Sequence, residues 1–144
     1  MPNHKLSCLD CSSNQDPSVT DLFCSECGGL FAVEYLNAPD GAMPRLPMGE
    51  PLNSNSLGEG DTPLVFLDKT CEQLGLGSLW AKLEFMAPTG SFKDRGSAVL
   101  TTMGRDFGVT EFIEDSSGNA GASLSAYAAA AGLKAHVFAP ASAA

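Results

Sequence analysis

The chain has 144 residues, 44% of them hydrophobic and 17% charged, which suits one ordinary domain or two small ones and excludes disorder along its whole length. Seventeen acidic residues stand against eight basic ones, a net charge of −9, so a nucleic-acid backbone and an anionic membrane are both repelled and neither is an expected partner. No apolar run approaches the ~20 residues of a membrane-spanning helix, and the polar opening Met1-Pro2-Asn3-His4-Lys5 lacks the apolar core of a signal peptide, so a cytoplasmic location is expected.

Residues 1–35 form a first region. Four of the five cysteines fall there in two pairs, Cys8-Leu9-Asp10-Cys11 and Cys24-Ser25-Glu26-Cys27, before the short apolar stretch Leu30-Phe31-Ala32-Val33. In a cytosolic chain, paired Cys-x-x-Cys turns read as thiolate ligands rather than disulfides. Zinc takes four such ligands in a tetrahedron, and a set of Cys8, Cys11, Cys24 and Cys27 leaves no open position, so the expected site is structural. Gly28 and Gly29 follow the second pair, where a tight knuckle turn needs a residue able to take positive φ. The other reading is four reduced thiols in a small β-hairpin with no metal. Neither pair sits after a strand at the start of a helix, the setting that thioredoxin-like redox chemistry requires. Cys71 stands alone, at helical spacing from Leu74, and is expected to pack.

Residues 36–60 crowd Pro39, Gly41, Pro44, Pro47 and Gly49 among few apolar side chains, the chemistry of a linker or N-terminal extension. From residue 61 to 144, strand-like and helix-like segments alternate. Leu64 to Leu67 is a short apolar run, followed by a helix-sized piece from Asp68 to Gly75. Leu79 to Leu83 reads as a strand. A helix fits from Phe92 to Phe107, where Leu100, Met103 and Phe107 recur at helical spacing and Gly108 supplies the stop. Glu111 to Glu114 is a strand, and Gly121 to Ala131 a helix whose Leu124, Tyr127, Ala128 and Ala131 share one face. Ala135 to Ala139 is a last strand. Such alternation implies crossovers and a parallel sheet. The sequence stops one strand past a helix, where a further βα unit is expected, so it reads as the N-terminal portion of something longer.

Within this pattern, Pro88-Thr89-Gly90 is a turn, and Ser91 with Asp94 three residues on has the form of a capping box. Lys93 then lies in the first turn of a helix, where the positive end of the helix dipole disfavours a charged amine. A solvated lysine is one reading of that position. An amine that must be neutral to attack a carbonyl is the other. Further on, Ser116-Ser117-Gly118-Asn119 follows a strand and opens a helix, so several free backbone N–H groups face one spot and can bind a carboxylate or phosphate. Tight packing alone would also account for small residues there.

Three stretches carry a family resemblance. Residues 88 to 96, Pro-Thr-Gly-Ser-Phe-Lys-Asp-Arg-Gly, closely resemble the pyridoxal-phosphate attachment motif of threonine synthases and, more loosely, that of the wider tryptophan synthase β-like superfamily. Gly58 to Leu64, Gly-Glu-Gly-Asp-Thr-Pro-Leu, is similar to the threonine synthase motif that precedes it. Residues 116 to 121 resemble the superfamily's asparagine loop. The order matches, and some threonine synthases carry a four-cysteine head. Ala87 departs from the pattern, which usually has asparagine before the proline.

The resemblance implies an α/β fold, a short parallel sheet with flanking helices forming the N-terminal part of the tryptophan synthase β-like fold, after a zinc-ribbon-like head. It implies that Lys93 carries pyridoxal 5'-phosphate and that Asn119 hydrogen-bonds the cofactor's phenolic oxygen. Ser116, Ser117, Gly118, Ala120 and Thr62 are then expected to bind an amino-acid substrate, with phosphohomoserine and water giving threonine and phosphate, in an enzyme whose full-length form is a homo-oligomer. The superfamily's glycine-rich phosphate loop lies well downstream of the asparagine loop. Other enzymes of the superfamily (serine/threonine dehydratase, cysteine or cysteate synthase) and a non-catalytic remnant are the alternatives.

Overall fold

A computed structural model describes residues 4–17, 22–35 and 55–143. Most of the expected linker, residues 36–54, lies outside the described residues. The head is a three-stranded antiparallel sheet in the order β2-β1-β3, built from β1 (His4–Cys8), β2 (Asn14–Gln15) and β3 (Phe31–Tyr35). Leu6 pairs with Val33 across it, and Lys5 with Glu34. The last pair is an exposed ion pair of 3.2 Å, whose contribution is small.

After the head come β4 (Leu64–Phe66), α1 (Asp68–Leu74) and β5 (Trp80–Lys82). Here the expected parallel arrangement is corrected: β4 and β5 pair antiparallel, with Phe66 opposite Trp80 and Leu64 opposite Lys82. The helix between them has only seven residues and ends on Gly75 in the left-handed conformation, φ 64°. A helix of that length rises only about 10 Å. The chain comes back beside the end of β4 instead of returning to its start. The Phe66 and Trp80 rings meet at that point, with centroids 5.1 Å apart, and the Leu67 N–H donates to the Leu79 carbonyl at 2.9 Å.

The third group does have the expected topology. It comprises α2 (Lys93–Asp106), β6 (Glu111–Asp115), α3 (Asn119–Ala131) and β7 (Lys134–Phe138), with β6 and β7 parallel from the Glu111–Lys134 pair to the Asp115–Phe138 pair. Gly132, at φ 72°, ends α3 as the sequence anticipates. Gly121 lies so close to β7 that an added Cβ would come within 2.6 Å of the Val137 side chain.

Helix packing departs from the apolar periodicity of α2. Its buried residues are Asp94, Ser97, Ala98, Thr101, Thr102 and Gly104, a small and polar set. Leu100, Met103 and Phe107 instead line an open apolar groove of about 870 Å³ with Phe112 and Ile113. Facing α2, α3 buries Ser123, Leu124, Tyr127 and Ala128. Small side chains let the two helices approach closely, and buried hydroxyls replace methyls as the contacts: Thr101 and Thr102 return theirs to carbonyls one turn back, at 2.8 Å each.

Residues 55–60 are stitched onto this pair. Asn55 is buried, donating to the Thr102 hydroxyl at 3.3 Å and accepting from Arg105 at 2.8 Å. The fully buried Tyr127 donates its hydroxyl to Glu59 at 2.7 Å, so this segment touches both helices.

Candidate cofactor site and cysteine cluster

Lys93 is the first residue of α2, and Asn119 the first of α3. What brings these two helix starts together is Asp94. Its fully buried carboxylate accepts the Thr89 N–H at 2.7 Å, the Thr89 hydroxyl, and the Ser123 hydroxyl at 2.7 Å. Ser123 lies 2.8 Å from the Ser97 hydroxyl as well, so one polar chain ties the Pro88-Thr89-Gly90 turn to both helices. The expected capping box is corrected accordingly. No side chain caps α2, and the Ser91 hydroxyl is buried without a partner among the described residues. Asp94 reaches five residues back to Thr89 instead. Gly90, at φ 85°, makes the intervening turn that permits this.

The Lys93 side chain is exposed, with its amine 5.0 Å over the ring of Phe92. It lines a cavity of about 280 Å³ together with Glu114 of β6 and Ala120 and Leu124 of α3. The loop before α3 follows from its small residues. Ser116 turns its hydroxyl inward to accept the Gly118 N–H at 3.2 Å and the Gly121 N–H at 2.9 Å, capping the helix. Its hydroxyl is thereby committed to the loop. The N–H groups of Ser117, Asn119 and Ala120 have no acceptor among the described residues, and neither has the exposed Asn119 side chain. Lys93 and Ala120 share the cavity, and Ser117 and Asn119 precede Ala120 in the same loop and helix start, a donor set that fits an anionic cofactor carrying a carbonyl.

Thr62 belongs to a neighbouring cluster. Its buried hydroxyl donates to Glu84 at 2.8 Å and accepts from Arg95 at 3.1 Å, while its carbonyl accepts from Lys82. Arg95 grips the Glu84 carboxylate with two parallel bonds of 2.8 and 2.9 Å and reaches the Gly60 carbonyl at 3.2 Å. The Arg95 guanidinium, aided by the Thr62 hydroxyl, holds the Glu84 carboxyl down at about 2. This clamp fastens the Gly58–Leu64 motif to the first turn of α2, two residues past Lys93. Glu84 lies outside every motif singled out in the sequence. Asp94 was visible there as a capping partner and as a member of the lysine motif, not as the tie between the two helices.

In the head, the four sulfurs of Cys8, Cys11, Cys24 and Cys27 lie within 4.8 Å of one another. Cys8 and Cys27 are 3.5 Å apart, and Cys11 and Cys24 3.7 Å. Zn–S bonds of about 2.3 Å in a tetrahedron require sulfurs about 3.8 Å apart, so the spacing fits the ion. Gly28 has the positive φ that the knuckle needs, 75°, and a Cβ on Gly29 would come within 3.0 Å of the Cys8 sulfur. The Ser13 hydroxyl, 3.1 Å from both Cys11 and Cys24, lowers both thiols and holds Cys24 at about 6. For Cys27 the Gly29 N–H acts in the lowering direction, but Cys11 and Cys8 outweigh it and push the thiol up to about 12. Crowded sulfurs resist complete ionisation unless a cation neutralises them. Cys71 lies apart, buried in α1, its thiol donating to the Leu76 carbonyl at 3.0 Å.

Comparison with known proteins agrees with this geometry. The family model described as "pyridoxal-phosphate dependent enzyme" matches residues 55–144. A threonine synthase of Methanosarcina acetivorans is 32% identical over 96% of this chain, and one of Methanocaldococcus jannaschii 34% over 92%. The chain spans 37% of the length of each. A Bacillus threonine synthase is 42% identical over 66% of the chain, which spans 27% of it. The threonine synthase resemblance read from the three motifs therefore holds across most of the sequence, and the chain belongs to the pyridoxal-phosphate-dependent enzyme family.

Proposed function

We propose that this chain provides the cofactor lysine and the carboxylate-binding loop of a threonine synthase-like lyase, which converts O-phosphohomoserine and water to threonine and phosphate. The observation that carries the reading is the pairing of Lys93 with the donor-rich start of α3, fixed by buried Asp94. Bound pyridoxal phosphate supplies an electron-withdrawing ring that stabilises negative charge at the substrate's α-carbon.

The residues of this chain do the rest. Lys93 would hold the cofactor through its amine, and that same amine is the group placed to move protons at the site. Asn119 would hold the cofactor ring through its side-chain amide. The N–H groups of Ser117, Asn119 and Ala120, with Gly118 allowing close approach, hold the substrate's α-carboxylate, and Thr62 and Ser116 contribute through the segments they anchor. Cys8, Cys11, Cys24 and Cys27 hold a structural zinc ion, their spacing being the support for it. The partner is a small amino acid, the location is the cytoplasm, and the full-length enzyme is a homo-oligomer. Among the described residues no helix is long and apolar enough to cross a membrane.

Borohydride reduction in the presence of pyridoxal phosphate tests the reading. The label should appear on the peptide containing Phe92-Lys93-Asp94; label on Lys82 instead would refute it. The 144 residues span 37% of the length of the threonine synthases they match, and on their own they are expected to form no threonine from phosphohomoserine.

A further inference from the structure

The inner face of β6 carries a charge that the reading above does not use. Side chains alternate along a strand, so Glu114 shares a side with Phe112. That side faces α2, since the Phe112 ring packs where a Cβ on Gly104 would lie, 2.4 Å from its tip. Glu114 is half-buried and shares the 280 Å³ cavity with Lys93, Gly96, Ser97, Leu100, Ala120 and Leu124. Apart from the Ser97 hydroxyl, already bonded to Ser123, that lining offers no polar side chain to a carboxylate except Lys93.

A carboxylate turned into such surroundings is costly unless something neutralises it. Among the described residues Glu114 has no hydrogen-bond or ion-pair partner, and the one cation lining its cavity is Lys93. The neighbouring charges are committed or turned away. Asp94 is bonded to Thr89 and Ser123, Arg95 to Glu84, and Asp115 is exposed on the opposite side of β6. From α3, only Ala120 and Leu124 reach the cavity.

We propose that Glu114 is a positioning residue of the Lys93 site: across the shared cavity, its carboxylate draws the lysine amine off the Phe92 ring and holds it toward the start of α3. The proposal rests on Lys93 being the cofactor lysine. No bond forms or breaks; the carboxylate orients the amine.

The test labels the purified chain with pyridoxal phosphate and borohydride and reads Lys93 against exposed Lys134 by peptide mass spectrometry. A carboxylate favours the charged amine, so Glu114→Gln should raise the Lys93:Lys134 ratio about two- to fivefold when labelling is brief enough to report attack by the neutral amine, and Glu114→Asp should give back about half of the gain. Carbodiimide coupling of the wild type should join Lys93 to Glu114 as an amide, the carboxyl oxygen leaving in the urea by-product. An unchanged ratio in Glu114→Gln, or coupling of Lys93 only to other carboxylates, overturns the proposal and leaves the cofactor reading standing. A wild type with no preference for Lys93 over Lys134 overturns the cofactor reading, and this proposal with it.

Discussion

Asp94→Asn should unfasten the two helix starts without changing the shape of the side chain. In the native site, one carboxylate oxygen faces the hydroxyls of Thr89 and Ser123, and the other accepts the Thr89 N–H at 2.7 Å. Asparagine keeps an acceptor for the hydroxyls but sets an NH₂ group against that N–H, so one charge-assisted bond is lost and a donor faces a donor. A bond to a charged acceptor contributes about 1.5–3 kcal/mol, and an orphaned buried donor costs about 1–3. The expected loss is therefore about 2–4 kcal/mol, a large share of the few kcal/mol by which a small domain is stable. Far-UV circular dichroism in urea measures it. With m of about 2 kcal/mol per molar, the midpoint should fall by about 1–2 M. A midpoint within about 0.3 M of the wild type would refute the placement of Asp94 as the hub of the α2–α3 contact.

The cysteine head should hold about one zinc per chain by elemental analysis, abolished by Cys8→Ser and unchanged by Cys71→Ser, whose sulfur lies outside the cluster. Acid should release the Glu84 clamp. Because the folded carboxyl is lowered from 4.5 to about 2, its stabilisation is complete above 4.5 and fades as pH falls from there toward 2. Glu84→Gln should flatten the stability-versus-pH curve in that window, and an unchanged slope would count against the clamp. Tyr127→Phe should cost about 1–2 kcal/mol in thermal unfolding, by removing the donor that holds Glu59 from α3.

Much of the layout was legible because punctuation in this chain is strong. Gly75, Gly108 and Gly132 all take positive φ at or just after helix ends, where the sequence placed its stops. The strand–loop–helix setting of Ser116 to Asn119 was equally plain, since small residues between an apolar run and an alanine-rich stretch admit few other arrangements. Two things were hidden. The antiparallel pairing of β4 with β5 depends on where the chain returns after α1, and the Phe66–Trp80 contact that marks this place is invisible to periodicity. The polar seam between α2 and α3 was hidden because apolar spacing draws attention to Leu100, Met103 and Phe107, while the helix buries Asp94, Ser97 and Thr101. A lysine motif could be recognised, but the carboxylates around it, Glu84 and Glu114, carry no spacing signal.

The Glu59–Tyr127 hydrogen bond joins residues 68 positions apart. A ribosome adding about 5–20 residues per second needs roughly 3–14 s to make the second partner after the first. The cysteine head has all its strands within residues 4–35 and can fold while the rest is still being made. The segment around Glu59 cannot close in that interval, because α3, which anchors it, is not yet synthesised. During this time Glu59 remains hydrated, while the Asn55 bonds to Thr102 and Arg105 and the Glu84–Arg95 clamp can form as soon as α2 is made. The α2 side of the lysine site can be clamped first, and its closure by the Ser123–Asp94 and Tyr127–Glu59 bonds is timed by the emergence of α3.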